Sequence, residues 1–253
     1  MPRAERWLRD VAWHLIKSRF PPRIAFQLRF LRGYRYYPYL FDVMRVLMDP
    51  ARDTVDVGAH QGVYSWFFAR HSRRVFAFEP NPENFRILSR LSGSITCYQA
   101  ALSDEAKEAE LRVPCDDAGL VLDEGGTIVG GEAKWAKRFQ VKCMPLDAFE
   151  LKDVGFLKID VEGAEFAVLR GALRTITTSK PKMMVEINGD QTGEERLRET
   201  VAWIERLGYD CFFFSNRKIA AFRHFDLKRD QLRAQHERNI RDYANNFIFL
   251  PVP

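Results

Sequence analysis

No apolar run in the sequence approaches the roughly 18–20 uninterrupted residues of a membrane span. The opening Met1-Pro2-Arg3-Ala4-Glu5-Arg6-Trp7 carries charges where a secretory signal would carry an apolar core. These absences predict a cytoplasmic chain. The 4 cysteines, Cys97, Cys115, Cys143 and Cys211, lie far apart, form no C-x-x-C pair and make no metal-like cluster with any of the 5 histidines. That excludes a disulfide scaffold and a zinc module, and it predicts free, mostly buried thiols. Internal repeats and low-complexity segments are also missing. With 46% hydrophobic and 29% charged residues over 253 positions, what remains is a globular chain.

A surplus of positive charge is present, but it is unevenly placed. The formal net charge is +5, which taken whole points toward nucleic acid. Residues 1–45 hold 10 basic and 3 acidic side chains, and residues 217–241 hold 8 and 3. The stretch 46–216 holds 21 basic and 27 acidic side chains, a net of −6. The basic character therefore belongs to two flanks around an acidic centre.

In that centre, β-rich runs at 54–57, 75–78, 95–99, 156–160, 183–187, 209–214 and 247–250 alternate with helical patterns at 63–71, 82–91, 165–174 and 194–207. Such alternation predicts a doubly wound α/β fold, a mostly parallel seven-stranded Rossmann-like sheet. The interval 105–150 is too long for one crossover. Its alternating segments at 109–114 and 139–144, separated by a glycine-rich stretch, predict an inserted β-hairpin. Residues 1–49 read as a helical extension and 50–253 as the main domain. In the extension, Trp7, Leu8, Val11, Ala12, Leu15 and Ile16 recur at helical spacing until Pro21-Pro22, giving a basic amphipathic helix. Packing on its own domain, a homodimer contact and peripheral contact with an anionic membrane face through residues 1–20 are its three readings. Tyr34, Tyr36, Tyr37, Tyr39 and Phe41 follow, as a packed hinge or as a platform for an acceptor.

The chemistry-bearing segments sit at strand ends. Thr54-Val55-Asp56-Val57-Gly58-Ala59-His60-Gln61-Gly62-Val63 reads as strand, glycine turn and helix start. Its Gly-x-x-x-Gly spacing departs from the dinucleotide fingerprint, and Asp56 suits a cation or a ligand ammonium better than a diphosphate. Glu79, in Phe78-Glu79-Pro80-Asn81, ends the second strand, where an acid accepts hydrogen bonds from both ribose hydroxyls. Ala101-Leu102-Ser103-Asp104 places small residues and an acid where an adenine ring and its amine would lie. Lys158-Ile159-Asp160-Val161-Glu162-Gly163-Ala164-Glu165 brings carboxylates to the next strand-to-helix switch, and Glu186 ends the strand after it.

These four segments, in this order and with the closing Asn246-Phe247-Ile248-Phe249-Leu250-Pro251, resemble the FkbM family of class I S-adenosylmethionine-dependent methyltransferases over roughly residues 50–250. The resemblance implies O-methylation of a hydroxyl on a saccharide, a glycolipid or a secondary metabolite. It also implies that Asp56, Gly58 and Gly62 serve the methionine part of the cofactor, Glu79 with Pro80 and Asn81 the ribose, and Ser103 and Asp104 the adenine. One departure is His60, which stands where the family usually has Asn and brings a titratable group to the cofactor turn.

Methyl transfer to oxygen needs an in-line hydroxyl and a group that takes its proton. Asp160 is the first candidate base, with Glu162 or Glu186 assisting and His60 nearby. Asp160 and Glu186 alternatively form a divalent-cation pair that lowers the hydroxyl's pKa. The basic stretch 217–241 reads as a solvated helix face or, alternatively, as a site for an acceptor that carries phosphate, such as a lipid- or nucleotide-linked sugar. Two rivals are a nucleic-acid methyltransferase and a cofactor-binding module without catalysis. Against the first, Asp160-Val161-Glu162-Gly163 puts negative charge where a flipped base would enter; against the second stand the retained Asp160, Glu162 and Glu186.

Overall fold

The computed structural model describes residues 24, 26–28, 30, 31, 34, 38–115, 127, 128, 136–215, 218–233 and 243–253. The amphipathic helix expected before Pro21 and the tyrosines at 36 and 37 lie outside them.

In chain order the elements are α1 (Pro38–Leu47), β1 (Asp53–Val57), α2 (Val63–Phe68), β2 (Val75–Phe78), α3 (Pro82–Leu88), β3 (Ile95–Tyr98), β4 (Ala101–Leu102), β5 (Lys107–Pro114) and β6 (Ala136–Met144). After a 3-10 turn, Leu146–Phe149, come β7 (Val154–Ile159), α4 (Glu165–Gly171), α5 (Leu173–Ser179), β8 (Lys182–Glu186), α6 (Gly189–Thr192), α7 (Glu194–Arg206), β9 (Tyr209–Ser215), β10 (Lys218–Ala221) and β11 (Asn246–Pro251). The main sheet runs β10-β9-β11-β8-β7-β1-β2-β3. From β3 to β8 all neighbours are parallel, and β11 pairs antiparallel with both β8 and β9. All seven expected strands are present, but the sheet is mixed and has 8 strands. The eighth, β10, is four residues long and half-exposed, too short to stand out as a pattern, and it joins the edge as the return arm of a hairpin from β9.

Burial explains the parallel centre. Every residue of β1, β2 and β7 is buried, as a strand covered by helices on both faces must be. The pleat then divides the residues by face. Val55, Val57, Leu157, Ile159, Met183 and Val185 pack with Val168, Leu169, Leu197, Val201 and Ile204 of α4 and α7. Phe156, Met184 and Ile248 pack on the opposite face against Leu40, Phe41, Met44, Phe67 and Phe68 of α1 and α2.

The expected insertion is a β-hairpin, β5 against β6 over Lys107–Pro114, extended to a three-stranded sheet by β4. Beyond it, Thr127 bridges to Arg112, and its hydroxyl donates to the Glu162 carbonyl at 2.9 Å. The helix expected at 165–174 is two helices, broken at Ala172 (φ −110°, ψ 10°). A helical glycine sits just before the break. A Cβ on Gly171 would lie 1.9 Å from the Ser103 carbonyl oxygen, so only glycine lets α4 come this close to the chain leaving β4.

Candidate active site

The carboxyl ends of β1, β2, β7 and β8 border a cavity of about 410 Å³, inside the roughly 300–1,000 Å³ range of small-molecule sites. Glu79, Asp160, Glu162 and Glu186 line it, and none of its described lining residues is Lys or Arg. Ala100, Ala101, Leu102, Leu111 and Ile128 make an apolar wall, part of it contributed by the insertion.

The glycine turn wraps one side. Gly58, His60 and Gly62 all have positive φ, at 76°, 52° and 87°. His and Asn are among the non-glycine residues that best tolerate this left-handed region, which gives a backbone reason why His60 can stand at this position. The amides of Gly58 and Ala59 donate to the Phe78 carbonyl at 3.0 and 2.9 Å, tying the turn to the end of β2. A Cβ on Gly58 would meet the Asp160 carbonyl oxygen at 1.8 Å. Gly58 and His60 face the cavity, but Gly62 does not line it. A Cβ there would point at Leu88, Leu91 and Phe26, so Gly62 packs the turn against α3.

Glu79 is buried, with Oε2 accepting from the His60 amide at 2.7 Å and Oε1 from the Asn81 amide at 2.9 Å. Burial pushes its carboxyl up to about 7, against the lowering effect of those two bonds. Pro80 and Asn81 line the cavity beside it, and Asn81 also caps α3 by accepting from the Glu83 amide at 2.9 Å. Ser103 and Asp104 point elsewhere. The Ser103 hydroxyl donates to Asp104, Asp104 pairs with Arg170 of α4, and neither residue lines the cavity. The preceding Ala100, Ala101 and Leu102 take that wall instead.

The floor holds a charge cluster that follows from the pleat. Asp56 and Lys158 are register partners across β1 and β7. Both lie on the α2 face of the sheet, together with Asp160 two residues beyond Lys158 and Glu186 two beyond Met184. Lys158 is buried, its ammonium 2.9 Å from Asp160 Oδ2 and 4.5 Å from the centroid of the Tyr64 ring. Burial opposes its charge, but Asp160 and Asp56 outweigh that penalty and hold its pKa above the ordinary lysine range. Asp56 is fully buried under the floor. Its Oδ2 accepts from the Ser65 hydroxyl at 2.5 Å and its Oδ1 has no hydrogen-bond partner. Burial raises the pKa of Asp56 and, together with the negative charge of Asp160, that of Glu186. Asn245 of the segment leading into β11 donates to Glu186 Oε1 at 2.6 Å.

Glu162 lines the cavity at φ 50°, while Glu165 turns inward and accepts from the Gly163 amide at 2.8 Å. Glu165 thus braces its own loop. Lys158 and Tyr64 are the members that reasoning from strand ends missed. The available signal was one lysine inside Val154–Ile159, a strand whose other side chains are all apolar. Among the described residues no group of three or more His, Cys, Asp and Glu side chains converges as a metal site. Asp160, one of the two carboxylates expected to share a cation, pairs with the Lys158 ammonium at 2.9 Å. From the expected aromatic platform, Phe41 reaches the cavity, and Tyr34 packs on Phe30 and Phe41.

Comparison with known proteins gives one family. The methyltransferase FkbM domain matches residues 56–211. The hexuronic acid methyltransferase AglP of Haloferax volcanii is 29% identical over an alignment of 159 positions that covers 57% of this chain and 59% of that protein. The chain thus spans about three fifths of that relative's length. The crystal structure of the methyltransferase FkbM from Methylobacillus flagellatus KT superposes with a TM-score of 0.51 at 17% identity, covering 80% of this chain and 44% of that one. At that identity the likeness is one of fold.

Proposed function

Because this chain belongs to the FkbM methyltransferase family, we propose that its cavity binds S-adenosylmethionine and that it methylates a hydroxyl of a saccharide-type acceptor. The observation that carries this reading is the placement of Glu79 and the Asp160–Glu186 pair around one cavity lined by four carboxylic side chains and, among its described residues, no Lys or Arg. Such a lining suits a cationic cofactor. Glu79 is the ribose partner: it accepts from the His60 and Asn81 amides and the Asn84 side chain, and a carboxyl group with about four acceptor sites keeps room for a hydroxyl. The apolar wall of Ala101, Leu102, Leu111 and Ile128 suits a flat base. Gly58, with His60 beside it, brings the turn backbone to the cavity.

When bound, the cofactor supplies a methyl group on positively charged sulfur, already activated toward an oxygen nucleophile. The chain's share is then orientation and proton removal. Asp160, a quarter exposed at the cavity while its other side meets Lys158, takes the hydroxyl proton. Glu186, held by Asn245, and Glu162 position the acceptor. AglP's name supports a sugar as the acceptor class. The same acidic lining weighs against a nucleic acid, whose phosphates it would repel.

Asp160→Asn is expected to cut transfer of radiolabelled methyl to a glycan and lipid extract by roughly 10²–10⁴-fold, the usual contribution of a general base. Cofactor affinity, read by calorimetry, should stay within about threefold, while Glu79→Ala should weaken it by roughly tenfold or more. Full activity in the first variant removes Asp160 from the reaction, and unchanged affinity in the second removes Glu79 from the cofactor site. Mass spectrometry of glycans from cells with and without the gene should show the loss of one methyl group; identical spectra would refute a saccharide acceptor.

A further inference from the structure

We propose that Lys158 is a positioning residue for methyl transfer: its buried ammonium holds the Asp160 carboxylate in place toward the acceptor and balances the carboxylates of the floor. The inference rests on the reading of Asp160 as the base.

Burying a lysine in the middle of a parallel sheet is costly unless it is paired. Lys158 stands in an otherwise apolar, fully buried strand, on the face where Phe156 packs against α1 and α2. What it contacts is specific. A hydrogen bond of 2.9 Å joins it to Asp160 Oδ2, Tyr64 presents its ring at 4.5 Å, and Asp56 is its register partner on β1. The side chain is 5% exposed and that of Asp160 27%. The pair is thus asymmetric, with the cation sealed under the floor and the anion reaching the cavity.

Three consequences follow from that asymmetry. First, the hydrogen bond fixes one carboxylate oxygen, so the other is presented in a single orientation and not in an average over rotamers. Second, Asp56, Asp160 and Glu186 converge on the same face, and without the Lys158 ammonium between them nothing would hold the Asp160 side chain in this place against the other two acids. Third, Lys158 itself does not line the cavity. It acts through Asp160 and not on the acceptor.

The test compares Lys158→Met, which keeps chain length without charge, with Lys158→Arg, which keeps the charge. Radiolabelled S-adenosylmethionine and a glycan and lipid extract from cells lacking the gene report transfer; calorimetry reports cofactor affinity. Lys158→Met should lower the transfer rate roughly 100-fold while cofactor affinity changes less than about threefold, and Lys158→Arg should recover at least a tenth of the wild-type rate. In an Asp160→Asn background, Lys158→Met should cost less than about threefold more, since its effect runs through the lost carboxylate. This double variant also removes both charges of the pair, so it is the one to compare if Lys158→Met alone does not fold. A folded Lys158→Met enzyme that transfers methyl at the wild-type rate would overturn the proposal. So would rate and cofactor affinity falling together, or a full additive loss in the double variant. If Asp160→Asn is as active as wild type, the assignment of the base fails instead, and the two failures are told apart by that one variant.

Discussion

Replacing Gly58 with alanine isolates the tightest contact of the site. The residue has φ +76°, and an added Cβ would stand 1.8 Å from the Asp160 carbonyl oxygen and 2.9 Å from its carbon, where real Cβ atoms essentially never come within 3.0 Å. The obstacle is backbone, so no rotamer change relieves it. Asp160 cannot simply retreat: its amide donates to the Val57 carbonyl at 3.1 Å and its side chain is held by Lys158. The left-handed conformation alone costs a non-glycine residue about 1–2 kcal/mol, and forcing a methyl into a filled site costs about 1–3 kcal/mol more. A total of ~2–5 kcal/mol lowers the melting temperature of a chain this size by roughly 5–15 °C. Gly93 supplies the control, with φ +87° and nothing within 4 Å of its added Cβ. Gly93→Ala should show the conformational cost alone, about 1–2 kcal/mol. Gly62→Ala should fall between them, because its obstacles are the Cδ1 ends of Leu88 and Leu91 at 2.8 and 2.7 Å, which can partly yield. Thermal unfolding orders the three, and calorimetry should show cofactor binding weakened in Gly58→Ala and untouched in Gly93→Ala. Equal melting temperatures for Gly58→Ala and Gly93→Ala, with equal affinities, would refute the close approach of β1's turn to β7.

Two further perturbations probe charge. Burial raises the Glu165 carboxyl from an ordinary value near 4.5 to about 7. The folded chain therefore binds more protons than the unfolded one between those values; the group's favourable contribution is complete below 4.5 and is lost as pH rises through about 7. Glu165→Gln should gain on wild type by on the order of 3 kcal/mol between pH 4.5 and 8, read from urea unfolding at each pH; a difference flat with pH would contradict the buried, raised carboxyl. At the opposite end of β1, Asp53 is fully buried and bonded to Arg73 at 2.8 Å and Arg74 at 2.7 Å. Burial alone would raise its pKa, but the two arginines more than offset this and hold it low, so its stabilisation is present above the ordinary value of 3.8 and disappears as pH falls through the folded one. Since both arginines are about half exposed, Asp53→Asn should cost roughly 1–3 kcal/mol and leave cofactor affinity unchanged. Weakened binding there would mean that the two ends of the sheet are coupled.

How much was legible in the sequence depends on how locally each feature is encoded. β1, β2, β7 and β8 are continuous apolar runs because both their faces are covered, and such runs announce themselves. The same burial makes an acid at the strand's end conspicuous, which is why Glu79, Asp160 and Glu186, all of which line the cavity, stand out in the sequence. Ser103 and Asp104 show the limit of that rule. They follow a strand of only two residues, and Gly171 admits α4 so close to the Ser103 carbonyl that Asp104 is drawn to Arg170 and the wall falls to the alanines before it. The break at Ala172 was hidden for a similar reason, since tertiary packing and not any proline or helix-stopping run ends α4. Lys158 is the instructive omission. Reading strand ends discards what lies within a strand, yet period-two geometry applied to β7 puts residues 156, 158 and 160 on one face, and the register with β1 sets Asp56 beside Lys158. A lone lysine in a run that burial requires to be apolar is unstable without a nearby anion. Its presence inside β7 therefore implies a carboxylate on the same face before any distance is measured, and the acid two residues later, at the cavity, is the one it meets.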